Sequence, residues 1–163
     1  MRYADFDVHP QTPWVLAVEE DHTKPLPAEV RNYVVAINFA TGEVRRVIAG
    51  ADFYSYPRFS PDGTKVAWEQ WDHPDLPFRG TKLYWADWRA DGAVDNMELV
   101  AGDAGECPTE PRWSPDGTLF FAQEKSDFRQ LFCKRLGDKG AKQVVLRGLE
   151  EAEFGDASFM IGW

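Results

Sequence analysis

The stretch Tyr56-Pro57-Arg58-Phe59-Ser60-Pro61-Asp62-Gly63-Thr64 returns as Glu110-Pro111-Arg112-Trp113-Ser114-Pro115-Asp116-Gly117-Thr118. Eight of the nine positions agree once Phe59 and Trp113 count as equivalent aromatics, and the copies are 54 residues apart. A fixed period of this size marks a repeat architecture, in which one unit cannot bury its own apolar faces and stacks on neighbours to do so. Within each copy Pro pre-sets φ and Gly supplies a positive φ, so Pro-Asp-Gly-Thr reads as a tight turn.

Working outward from that turn, short runs rich in β-branched and aromatic residues alternate with Gly, Pro and Asp punctuation. The unit holding Ser60 reads as strands over 55–60, 65–69, 82–87 and 97–101. The next repeats this plan with strands over 110–114, 119–123, 130–136 and 143–147, its turn set 54 residues after the previous one. A degenerate earlier copy spans 3–6, 13–18, 33–38 and 44–49, and a further unit opens near Glu153-Phe154-Gly155. No helix longer than a turn or two is expected, the nearest candidate being 27–32.

These elements predict an all-β chain: a partial β-propeller of about three four-stranded antiparallel blades plus one extra strand. It is read as one domain over 1–163, with blades near 3–50, 51–103 and 107–148 and a stub at 153–163. Propellers close their rings with roughly four to eight blades. Three blades leave apolar sheet faces uncovered at both ends of the arc. The chain is therefore expected either to belong to a larger propeller or to complete its ring by self-association.

Composition narrows the function. A hydrophobic content of 44%, with seven Trp and eleven Phe, supplies a packed interior. The excess of 27 Asp and Glu over 18 Lys and Arg gives a net charge of −9, which repels phosphate backbones and anionic lipid. No nucleic-acid or membrane partner is expected. The N-terminal residues show no apolar signal region, and Cys107 and Cys133 are too few for a disulfide framework, so a cytoplasmic, reducing setting is expected. Cys133, in Leu131-Phe132-Cys133, reads as a small buried hydrophobe.

Ser-Pro-Asp-Gly-Thr before an apolar strand is similar to the repeats of Tol-type propellers. The block running from Trp71-Asp72-His73-Pro74 through Pro77 to Gly80-Thr81-Lys82-Leu83 is more specific. With the unit opening at Glu110 and the segment Glu151-Ala152-Glu153-Phe154-Gly155, it resembles the propeller of prolyl oligopeptidase family serine peptidases, in the acylaminoacyl- and dipeptidyl-peptidase-like branch. The resemblance covers essentially the whole chain. It implies a roughly seven-bladed propeller lying over an α/β-hydrolase domain with a Ser-Asp-His triad and screening substrates by size. These 163 residues contain no Gly-x-Ser-x-Gly nucleophile elbow, so no catalytic residue is carried over. Peptide substrates follow from the resemblance only for a full-length relative. The chain itself is expected to be a non-catalytic, truncated or split propeller portion.

The strongest local constellation is the loop 71–80, which mixes His, carboxylates and Arg between the second and third strands of its unit. Asp72, His73, Asp75 and Arg79 are its candidate ligand-binding residues, beside the similarly long loop 19–32 with His22. The competing account is a loop held by proline packing and by Asp72 and His73 bonding to backbone. No metal site or cofactor is expected, since His9, His22 and His73 are scattered and the Asp-Gly pairs at Asp62, Asp91 and Asp116 lack alternating acidic ligands. Trp68, Trp85 and Trp113 are read as inter-blade core, and Trp71 and Trp88 as partly exposed strand ends.

Overall fold

The computed structural model of the chain describes residues 1–24, 26–102, 106–125 and 127–155. It contains three four-stranded antiparallel sheets, each built from consecutive strands. The first comprises β1 (Arg2–Val8), β2 (Trp14–Asp21), β3 (Arg31–Asn38) and β4 (Glu43–Ile48). The second comprises β5 (Phe53–Phe59), β6 (Lys65–Trp71), β7 (Lys82–Trp88) and β8 (Val94–Ala101). The third comprises β9 (Thr109–Trp113), β10 (Leu119–Lys125), β11 (Phe128–Lys134) and β12 (Lys142–Gln143). The fourth strand of that sheet, expected over 143–147, is only two residues long. Among the described residues helical structure is confined to a 3-10 turn at Pro27–Glu29 and a single turn, α1, at Pro77–Gly80. Among the described residues no helix is long and apolar enough to cross a membrane. The extra strand expected at 153–163 lies mostly outside the described residues; Phe154 donates its N–H to Arg129 O at the start of β11, 3.0 Å away.

The sheets stack face to face. Leu16, Val18, Val34 and Ala36 of the first pack against Val66, Trp68 and Ala86 of the second. The opposite face of the second, carrying Ala67, Leu83 and Trp85, packs against Leu119, Phe121 and Phe132 of the third. This explains why β6 reads Val66-Ala67-Trp68 without polar alternation: both of its faces are buried. First strands lie nearest each other, β1 packing on β5 and β5 on β9, so the sheets fan out from a common axis as blades do.

The repeat is not strictly constant. Ser60 N bonds Lys65 O, whereas Ser114 N bonds Thr118 O, so the second turn is one residue shorter. Pairing therefore begins Phe59 with Val66 but Trp113 with Leu119. A constant offset would place Phe121 where Ala67 stands, facing away from the second sheet. The shortened turn instead puts Leu119 and Phe121 in the places of Val66 and Trp68, facing it. Because side chains alternate with period 2, one residue decides which face is apolar.

Each first strand is also bent at the same point. Asp5, Tyr56 and Glu110 are non-glycine residues in the left-handed region, with φ of 54°, 50° and 55°. Each sits where the pairing register of its strand shifts, the signature of a β-bulge. Side chains join these bends across blades. Asp5 accepts from the Tyr56 N–H and, at 2.7 Å, from Arg58 Nη2, while the Arg112 guanidinium lies 5.3 Å from the Tyr56 ring centroid.

Candidate functional site

In an up-and-down blade, the loop between second and third strands and the link to the next blade leave from the same rim. Three such segments meet here: residues 22–24 with 26–30, the link before Phe53, and the start of loop 71–80. They enclose a cavity of about 490 Å³. That volume lies in the range of small-ligand sites. Its walls are mixed. Phe53, Pro27 and Val30 give an apolar side, Arg2, Lys24 and Arg31 bring cations, and His22 and His73 add imidazoles.

The wall is tied down by a hydrogen-bond chain. Asp52 N donates to Asp72 Oδ1 at 2.8 Å, Asp52 Oδ2 accepts from His73 N at 3.0 Å, and Asn32 Nδ2 donates to Asp52 O at 2.7 Å. The His73 ring stands edge-on to Phe53, with centroids 4.9 Å apart, and Phe53 stacks on Trp71 at 5.4 Å. The His73-Pro74 bond is cis. On the opposite wall His22 Nε2 lies 2.9 Å from Glu20 Oε2.

Of the four residues singled out in the sequence, only His73 lines this cavity. Asp72 stands behind it, holding the link between blades. Asp75 and Arg79 do not line it: Asp75 N bonds back to Asp72 O in the turn before α1, and Arg79 lies within α1, its N bonding Leu76 O. Arg2, Arg31 and Asp52 were missed, because the link between blades and the first residues of strands carry no motif that singles them out.

A second concavity of about 260 Å³ opens near the axis, bordered by Asp7, Arg58, Arg112 and Trp113. Its charges are matched internally. Arg58 pairs with Asp5 at 2.7 Å, and Arg112 reaches Glu110 at 3.9 Å. Asp7 accepts from Phe59 N at 2.6 Å, and burial pushes its carboxyl above the ordinary value. This is a fastening between blades and not an open site.

Glu69, Asp62, Asp116 and His9 are engaged within the fold. Glu69 is 2% exposed, and burial pushes its carboxyl up to about 8; Oε2 accepts from Ser55 Oγ at 2.9 Å. Asp62 Oδ1 accepts from Ser60 Oγ and Thr64 N, and Asp116 Oδ1 from Ser114 Oγ and Thr118 N, so both close their turns. His9 is buried: Nδ1 accepts from the N–H groups of Gln11 and Thr12, both at 3.1 Å, so Nε2 carries the proton and donates to Gly63 O. Trp68 and Trp85 are buried and Trp113 packs on the second core, in the inter-blade places expected. Trp88 is buried too, against His9, Phe59 and Trp14, where partial exposure was expected. Cys133 is half-buried and Cys107 is the buried thiol. Among the described residues no three His, Cys, Asp or Glu side chains converge in a metal-holding group.

No family model matches the chain. It is 26% identical over 140 residues to dipeptidyl-peptidase 5 of Aspergillus fumigatus, covering 79% of this chain and 19% of that protein. A puromycin-hydrolysing peptidase of Mycobacterium tuberculosis superposes with a TM-score of 0.78 at 28% identity, over 89% of this chain and 23% of that one. TolB of Acinetobacter baumannii, at 17% identity and a TM-score of 0.65 over 90% of this chain and 33% of its own, shares the fold. The chain thus spans about a fifth of the length of the peptidases it matches. With three radial four-stranded sheets on the page, these likenesses identify the chain as a β-propeller segment resembling that of the prolyl oligopeptidase family of serine peptidases.

Proposed function

We propose that these residues form a non-catalytic portion of a substrate-gating propeller, covering a hydrolase active site supplied by sequence outside 1–163. The observation that carries this reading is the match, in fold and at 28% identity, to a stretch of a puromycin-hydrolysing peptidase. Two further facts support it. No Gly-x-Ser-x-Gly occurs in the 163 residues, and the loops of greatest length cluster on one rim, where a cover would meet what it covers. The test is to read the coding region past Trp163 in all frames. Further Ser-Pro-Asp-Gly units followed by a nucleophile elbow are expected; a locus holding neither overturns the reading.

A second reading, completion of the ring by a second copy, is favoured by one specific feature. Val8, Val15, Ile37 and Val44 stand opposite one another across all four strands of the first sheet, on the face turned away from the second. Val8 is 61% and Val44 46% exposed. Such a row is an unfinished interface. Light scattering of the purified chain decides: a discrete dimer supports assembly, and a monomer removes it.

A further inference from the structure

One residue before its bend, each first strand pairs with the second strand of its own sheet: Ala4 with Val18, Ser55 with Glu69, and Thr109 with Ala122. Two blades set an apolar residue there on the second strand; the middle blade sets a carboxyl that is 2% exposed. Leu83 stands opposite Glu69 on β7 and belongs to the core shared with the third sheet, so Glu69 faces that joint.

The two joints are fastened differently. Between the first and second sheets the Asp5 carboxylate takes the Tyr56 N–H and is paired with Arg58 at 2.7 Å. Tyr56, the equivalent of Asp5 in the next blade, has no carboxylate to give. Glu69 stands in that region instead, with the Glu110 N–H and the Thr109 side chain coming near it from β9. Its Oε2 accepts from Ser55 Oγ at 2.9 Å, while Oε1 is buried with no hydrogen-bond partner among the described residues. The charged and titratable groups around it are Asp5 of β1, Tyr56 and Arg58 of β5, and Glu110 and Arg112 of β9. Arg58 is paired with Asp5, and Arg112 reaches Glu110 at 3.9 Å; among the described residues no cation pairs with Glu69. Burial above all, and Asp5 to a lesser degree, favour the protonated carboxyl against the hydrogen bond from Ser55. A buried anion without a cation is among the costliest groups a packed joint can hold.

We propose that Glu69 is a proton-operated latch on the joint between the second and third sheets. With its proton the joint is shut; once the proton is lost, the anion gains water only if the third sheet moves away from the second. The Asp5–Arg58 fastening keeps the first joint closed meanwhile. In the shut joint the carboxyl titrates at about 8, against 4.5 when wet, so opening grows easier as pH rises between those limits and levels off above them. This stands on the joint alone, so the gating reading and this one fail separately.

The test is native-state hydrogen exchange of the whole chain at low urea from about pH 5.5 to 7.5, each rate divided by the intrinsic amide rate at that pH. Amides of β9 and β10 are expected to open with a weaker urea dependence than global unfolding, because only one joint is exposed. Their protection is expected to fall about tenfold per pH unit, the linkage of one proton. Glu69→Gln, and Glu69→Val, which copies Val18 of the first sheet, should each make that protection independent of pH. Third-sheet amides that open only with the urea dependence of global unfolding overturn the proposal. So does protection that is flat with pH in the parent, or a pH slope that persists in a folded variant.

Discussion

His9 and Gly63 interlock across the first blade junction. The imidazole Nε2 donates to Gly63 O at 3.1 Å, and a Cβ added to Gly63 would lie 2.4 Å from His9 Cε1. Gly63 also has a φ of +69°, so a side chain there meets backbone strain and a wall together. Gly117, its counterpart in the next unit, has a φ of +78° with nothing within 4 Å. We expect Gly117→Ala to cost about 1–2 kcal/mol, the left-handed penalty alone. Gly63→Ala should cost roughly 2–4 kcal/mol, since His9 must also give way. Urea denaturation of the two variants reads the difference, and equal losses would remove His9 as a clamp.

Glu69 sets a pH dependence of known sign. Its folded carboxyl titrates near 8 against an ordinary value of 4.5, because burial disfavours the anion. The folded state therefore holds a proton that the unfolded chain releases, and stability falls as pH rises from about 4.5 to 8. The slope from this one group approaches about 1.4 kcal/mol per pH unit within that window. Asp7, also raised by burial, acts in the same direction. Glu69→Gln should flatten the decline between pH 5 and 8 and leave the profile below pH 4 unchanged. A variant that declines as steeply as the parent would rule Glu69 out.

The unequal turns make a prediction about insertions. Adding one Lys between Thr118 and Leu119 recreates the longer turn of the second blade, in which Ser60 N bonds Lys65 O. It leaves every β10 side chain on its face, at a cost of about 1 kcal/mol or less. Adding the same residue between Phe120 and Phe121 turns Leu119 or Phe121 out of the second core. That should cost about 3–5 kcal/mol, like deletion of a core aromatic. Thermal melting of the two insertion variants checks the contrast.

Arg46 closes part of the open face of the first sheet. Its guanidinium lies 3.9 Å from the Tyr33 ring centroid and bonds Glu19 at 2.7 Å and Asp21 at 2.6 Å. Glu19 is buried, so Arg46→Ala strands a carboxylate and should cost about 2 kcal/mol. Arg46→Ala combined with Glu19→Gln should recover much of that loss. A double-mutant cycle that shows no coupling would place the stabilisation in the stacking on Tyr33.

Much of this fold was legible because its signals are local. Turn chemistry at Ser60–Thr64 and Ser114–Thr118 places strands on either side, and the repeat joins them into blades. The face assignment of β10 was not legible, since the two turns share five identical residues and differ only in which carbonyl Ser114 N selects. For the rim cavity, His73 stood out as an uncommon residue in a long loop. Arg2 and Arg31 did not, because an arginine at a strand end looks the same whether it faces solvent or a cavity. The cavity they border is made by two strands and a link from the neighbouring blade, a juxtaposition that no local pattern encodes.

The bends at Asp5, Tyr56 and Glu110 have one more consequence. The residue that bends the first strand of each of the first two blades is also the one that grips its neighbour: the Asp5 carboxylate takes the Tyr56 N–H, and the Tyr56 ring lies beneath Arg112. One blade cannot slip lengthwise along the next without straightening its own kink. Curvature is thereby settled at each junction in turn, so neighbouring blades adopt their angle before any ring has shut.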